Sequence, residues 1–199
     1  MPVDVRAAVA NNVAWCDGQT RRAGGAPVRD ADAWSCPTRT PPRYPDAITL
    51  RPGVDPARLL DRIDAGPGCS IKDSFADLDL AGHGFSVLFR AEWIHRPSTV
   101  DLPSGGWEYV PLLWDGPDIV RLGGMPGSGV TGNRTGNVVG LSNLDDGGWA
   151  DLGWIGAVRG LARCFPGLDL VGYERGDDLA AARRVGFVSL GPLRVWHRP

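Results

Sequence analysis

Apolar residues in DVRAAVANNVAWCD recur every three to four positions. Val5, Val9, Val13 and Cys16 fall on one face, which predicts an opening helix with Asp4 as its cap. Asn12 lies on that same face, so its amide requires a partner if the face is buried, whether a neighbouring loop or a ligand. DPARLLDRIDAG predicts a second, short helix. Asp55 is its N-cap and Pro56 its first residue, Leu59, Leu60 and Ile63 face inward, and Gly66 ends it. Between the two helices, residues 18–46 are rich in Gly, Pro, Arg and Asp and read as irregular chain anchored by Trp34 and Tyr44.

The period then changes to two. In CSIKDSF, Cys69, Ile71, Asp73 and Phe75 share one strand face, while Ser70, Lys72 and Ser74 share the other. Lys72 is therefore expected on a polar, exposed face. Asp73 falls on an apolar face, where a carboxylate has to be paired or hydrogen-bonded. FSVLFRAEWIHR predicts a long strand with Phe85, Val87, Phe89, Ala91 and Trp93 inward and Arg90 and Glu92 outward, forming a hairpin with 69–75. Residues 97–117 read as loop, anchored by Trp107, Tyr109 and Trp114.

From residue 118 the order becomes regular. DIVRLGG, GVTGNRTG and NVVGLSNL predict three short strands. WADLGWIGAVRGLARCF predicts a helix with Leu152, Ile155, Val158 or Arg159, and Ala162 in phase. LDLVGYE has the continuous apolar run of a central strand. GDDLAAARRVGF is a short helix stopped by Gly186, and FVSLGPLRVW is a last strand interrupted at Gly191-Pro192. The expected organisation is an N-terminal portion, 1–117, and a C-terminal half, 118–199, of order β-β-β-α-β-α-β.

That half resembles the acyl-CoA-binding half of the GNAT (GCN5-related N-acetyltransferase) superfamily. The resemblance rests on LVGYERGDDLAAARRVGFVSLGPLRVW, where a central strand, a short helix ending in Gly186-Phe187 and a final strand follow one another. It implies an α/β (α+β) fold with a mixed, mostly antiparallel twisted sheet flanked by helices. It also implies acetyl-CoA in a splay between two neighbouring strands, with Val139, Leu141, Ser142, Asn143, Gly147 and Gly148 along the cofactor. By the same resemblance Tyr173 is the candidate proton donor, and Asp73 or Glu92 the group that holds a small amine substrate. The implied activity is acyl transfer from acyl-CoA to that amine. The alternative is a GNAT-fold ligand-binding or interaction protein that binds no coenzyme A.

Two departures favour the alternative. The family's pyrophosphate loop carries a leading Arg or Gln, whereas SNLDDGGWADL places Asp145 and Asp146 where phosphates would lie. Two carboxylates within about 5 Å of a pyrophosphate repel it by roughly 1 kcal/mol or more each. Gly176 and Ala182 stand where the family has an Asn and a Tyr on the last helix.

Composition narrows the partners. A net charge of -2 predicts no attraction to nucleic acid or anionic membrane, and no apolar run reaches the roughly 20 residues that span a bilayer. MPVDVRAAVANN has no apolar h-region. Cys16, Cys36, Cys69 and Cys164 are widely spaced without a CxxC pair, which argues against zinc and fits reduced thiols in a cytoplasm. Lys72 is the single lysine among 21 basic residues, a bias that reads as a high-G+C bacterial composition. GLSNL lacks the last glycine of a nucleophile elbow, and GSGVTGNRTG lacks the GK[ST] of a P-loop and reads as a hairpin. Cys69 with His83 or His95 offers a nucleophile only if Cys69 is not simply core.

Overall fold

In the computed structural model, residues 3–199 are described. The elements in chain order are α1 (Val5–Arg22), β1 (Val28–Arg29), β2 (Ala33–Ser35), β3 (Ala47–Thr49), α2 (Pro56–Leu60), β4 (Ser70–Asp73) and β5 (Ser86–Arg96). They continue as β6 (Val110–Asp115), β7 (Ile119–Gly123), β8 (Ser128–Thr135), β9 (Val138–Asp146), α3 (Ala150–Cys164), β10 (Asp169–Glu174), α4 (Gly176–Arg184) and β11 (Val188–His197). The chain divides into two compact units. One comprises residues 1–11 and 92–190, the other 12–91 and 191–199, so α1, β5 and β11 each pass from one unit to the other.

In the unit 12–91 and 191–199 the strands run in the order β1-β2-β3-β4-β11. Only β3 and β4 are parallel. The capping expectations hold: Asp4 Oδ1 accepts from Ala7 N–H, and Asp55 Oδ1 from Ala57 and Arg58 N–H. Leu59, Cys69, Ile71, Leu80, Phe85 and Trp196 form the core on one side of the strands.

The expected hairpin of 69–75 with 85–96 is not formed: the neighbours of β4 are β3 and β11. The reason is chemical. Arg194 of β11 lies directly opposite Asp73 and closes an ion pair at 3.0 Å, while Asp77 and Leu78 N–H donate to the two carboxylate oxygens. Asp73 is fully buried and depends on those partners. Lys72 corrects the reading made from alternation. It does point away from Asp73, but it is buried at 3 % exposure because α1 covers that face as well. Its Nζ donates to Asn12 Oδ1 at 2.8 Å, so the inward amide of α1 is partnered by this lysine rather than by a loop.

In the unit 1–11 and 92–190 the order is β5-β10-β9-β8-β7-β6, with β9 and β10 the one parallel pair. Helix α3 joins those two strands, as the β-α-β pattern required. Strand β6 lies in a stretch read as loop, because its apolar residues face outward at the sheet edge and show no buried alternation. Helix α3 is rotated from its expected phase. Trp154, Ala157, Val158 and Leu161 are fully buried and Leu152 is exposed. Trp154 decides this: it packs edge-on against Phe187 with ring centroids 5.7 Å apart. Phe187, Leu193, Val195 and Trp196 are buried as expected, each in its own unit, and Gly191 takes φ 138°, a glycine conformation.

The Asp73–Arg194 pair yields a direct test. Asp73→Ala removes the counter-charge of the half-buried Arg194, whose Nη2 keeps only the Leu78 carbonyl, leaves two backbone donors without acceptor, and should lower unfolding free energy by roughly 3 kcal/mol. Urea denaturation checks it; a loss below about 1 kcal/mol would place the tie between β4 and β11 elsewhere.

Candidate functional site

The site is built where β9 and β10 part. Their parallel pairing covers Val138–Gly140 against Asp169–Val171 and goes no further, although β9 runs on to Asp146 and β10 to Glu174. A bulge helps to produce the separation. Opposite β8, the residues between Ser142 and Asp145 outnumber those between Thr131 and Gly129, and Asn143 takes φ 52°. The extra residue bends the strand there.

Below this point the chain is locked by a buried amide pair. Asn11 Nδ2 donates to the Asn133 carbonyl at 2.8 Å, and Asn133 Nδ2 to Asn11 Oδ1 at 3.2 Å. Both amide oxygens close over Gly140, so a Cβ there would overlap Asn11 Oδ1 and lie 2.6 Å from Asn133 Oδ1. Gly140 is the last residue of β9 paired with β10, so this lock sets where the strands begin to separate.

The cofactor-side residues divide into three groups. Val139 and Leu141 point into the core packed on α3, so only their backbone faces outward chemistry. Ser142 is half-buried and Asn143 exposed at the bulge. Gly147 and Gly148, with φ 65° and 82°, make the turn into α3. Their amides are already used: Asp145 Oδ1 accepts from Gly147 N–H at 3.0 Å and Asp146 Oδ1 from Gly148 N–H at 2.7 Å. A pyrophosphate would need these donors and would have to displace two carboxylates from them. The loop as built does not fit that group.

The substrate-side residues gather at the end of β10. Tyr173 is half-buried, its ring edge-on to Trp93 with centroids 5.5 Å apart. Glu92 lies directly opposite Glu174 in the β5–β10 register, and Arg183 of α4 holds its carboxylate at 2.8 Å. That bond is surface-exposed and fixes orientation more than it stabilises. Asp73 belongs to the other unit, where Arg194 and two amides occupy it.

Glu174 was not singled out from the sequence, yet it is the most perturbed carboxyl of this group. It is half-buried, and its pKa is raised to about 8, first by loss of solvation, then by the negative charge of Asp178, with Arg175 opposing. Period-two alternation along β10 places it on the face of Leu170 and Gly172, turned toward α4, and that phase was the available signal. Tyr173, the candidate proton donor, faces the opposite way. Among the described residues no group of His, Cys, Asp and Glu is arranged to hold a metal, and no helix is long and apolar enough to cross a membrane.

No family model matches the chain, and no curated protein matches it. Solved structures that resemble it include the following three. A GCN5-related N-acetyltransferase from Sphaerobacter thermophilus aligns with TM-score 0.47 and 9% identity over 72% of this chain and 64% of that one. A putative acetyltransferase from the GNAT family from Novosphingobium aromaticivorans DSM 12444 aligns with TM-score 0.48 and 12% identity, over 96% and 99%. A functionally unknown conserved protein from Staphylococcus epidermidis ATCC 12228 aligns with TM-score 0.55 and 12% identity, over 87% and 94%. At such identities the likeness concerns fold alone. It is a likeness of mixed α/β fold; in this chain α3 joins two parallel strands that then part.

Glu174 makes stability depend on pH in a defined direction. Its folded pKa, about 8, exceeds the unfolded glutamate value of about 4.3, so between these limits the folded chain holds a proton that the unfolded chain has released. Stability should therefore fall as pH rises through that window and level off above it. Glu174→Gln should flatten this slope in denaturation curves at pH 5, 7 and 9; an unchanged slope would assign the raised pKa elsewhere.

Proposed function

We propose that this chain is a GNAT-fold protein that binds a small cationic amine at the carboxylate-bearing end of β10 and does not anchor coenzyme A at the β9–α3 loop. The observation that supports this most strongly is the pair of carboxylate-to-amide bonds from Asp145 and Asp146 to Gly147 and Gly148. They use the anion-binding donors internally and leave negative charge in their place. An anion is repelled there, whereas a cation is not.

Glu92 and Glu174, side by side across β5 and β10, give the amine its binding groups. Near neutral pH Glu174 holds a proton, and an ammonium placed beside it favours the ionised form. Binding then releases that proton to solvent.

A second reading is N-acyl transfer from an acyl-CoA to the same amine. Two features favour it: the parting of β9 and β10, and a Glu174 that changes protonation near pH 8, suited to taking a proton from an ammonium. Under that reading Tyr173 remains the candidate proton donor.

Calorimetry distinguishes the two. The wild-type chain should give no saturable heat with acetyl-CoA up to about 1 mM, while Asp145→Asn combined with Asp146→Asn should gain measurable affinity. Saturable wild-type binding at micromolar acetyl-CoA would overturn the first reading in favour of acyl transfer.

A further inference from the structure

Opposite Leu170, at the other end of β10 from Glu174, the last residue of β5 is an arginine in an unusual setting. Arg96 is 2 % exposed, yet no carboxylate lies within ion-pair distance of it among the described residues. Nε donates to the Val185 carbonyl at 2.7 Å, and Nη2 to the carbonyls of Asp101 at 2.7 Å and Val100 at 3.4 Å. Nη1 makes no hydrogen bond among the described residues. Burial alone pushes the guanidinium below its ordinary pKa, as expected where no counter-charge is near. It stays charged nevertheless. Val185 caps the C-terminus of α4, whose dipole supplies about half a negative charge at most, so net positive charge remains.

Neither neighbouring aspartate supplies the counter-charge. Asp169 accepts from Ser98 N–H at 2.7 Å and bonds His95 Nε2 at 2.9 Å. Asp101 offers Arg96 its backbone oxygen. Arg96 also lines an open cavity of about 190 Å³, walled by Ala162, Leu168 and Leu170, with Leu102 and Ser98 among its lining. Its walls are mostly aliphatic, so it suits a ligand with one anionic end and a short apolar body.

We propose that this cavity is a binding site for a short-chain aliphatic carboxylate, whose carboxylate supplies the counter-charge of Arg96. It is independent of the β10 amine site and of whether the chain transfers acyl groups. Wholly hydrophobic compounds would leave the guanidinium uncompensated, and a bulky polyanion would bury charge against the Leu168 and Leu170 walls.

Because Arg96 also caps α4, the wall is the part to alter. Ala162→Leu, on α3, fills the cavity and leaves the arginine in place. Amide NMR spectra of the full chain should show saturable shifts at Ala162, Gly167, Leu168 and Leu170 with sodium butyrate, and at least tenfold weaker binding of neutral butyramide. Ala162→Leu, folded by circular dichroism, should lose the butyrate response. The site is overturned if butyrate and butyramide act alike, if no shift saturates, or if Ala162→Leu responds like wild type. Tighter binding of inorganic phosphate than butyrate would overturn the carboxylate assignment.

Discussion

Three residue pairs of parallel sheet, Val138–Gly140 against Asp169–Val171, are the joint on which the site depends. They end because the buried Asn11–Asn133 pair closes over Gly140 on one side, and because the bulge at Asn143 bends β9 beyond it. A longer pairing would bury the ends of both strands in an ordinary sheet. As built, β9 leads to the Gly147-Gly148 turn and β10 leads to Tyr173 and Glu174, two chemically opposite regions joined at one base.

The charges at those ends point the same way. At the turn, Asp145 and Asp146 hold the amides that an anion would require. At the end of β10, Arg183 holds Glu92, and Glu174 lies near Asp178 with Arg175 opposing. Burial makes Glu174 responsive near neutral pH, which the proposed exchange of a proton for a cationic ligand requires. The parting of β9 and β10 supplies the frame, and the charge pattern on it is what the proposed amine would require.

Much of the frame was legible because it rests on local rules. The caps at Asp4 and Asp55 follow from residue type, and the strand-helix-strand order around α3 follows from periodicity. The Asp145-Asp146 substitution was visible as composition, but its effect on the amides of Gly147 and Gly148 was a matter of geometry. Three features were hidden for physical reasons. The outward-facing apolar residues of β6 carry no burial signal. The covering of Lys72 by α1, and the insertion of β11 beside β4, are long-range pairings that no local window contains. The raised pKa of Glu174 is invisible in the sequence because solvation loss depends on neighbours brought in by the fold.

Carboxylates, not a ligand's phosphates, occupy the amides of the β9–α3 turn. The backbone resonances of Gly147 and Gly148 report on this directly. During a titration with acetyl-CoA at pH 7 both should stay fixed in the wild-type chain, and in Asp145→Asn combined with Asp146→Asn both should shift as ligand is added. Saturable movement of either glycine amide in the wild-type chain would contradict the account.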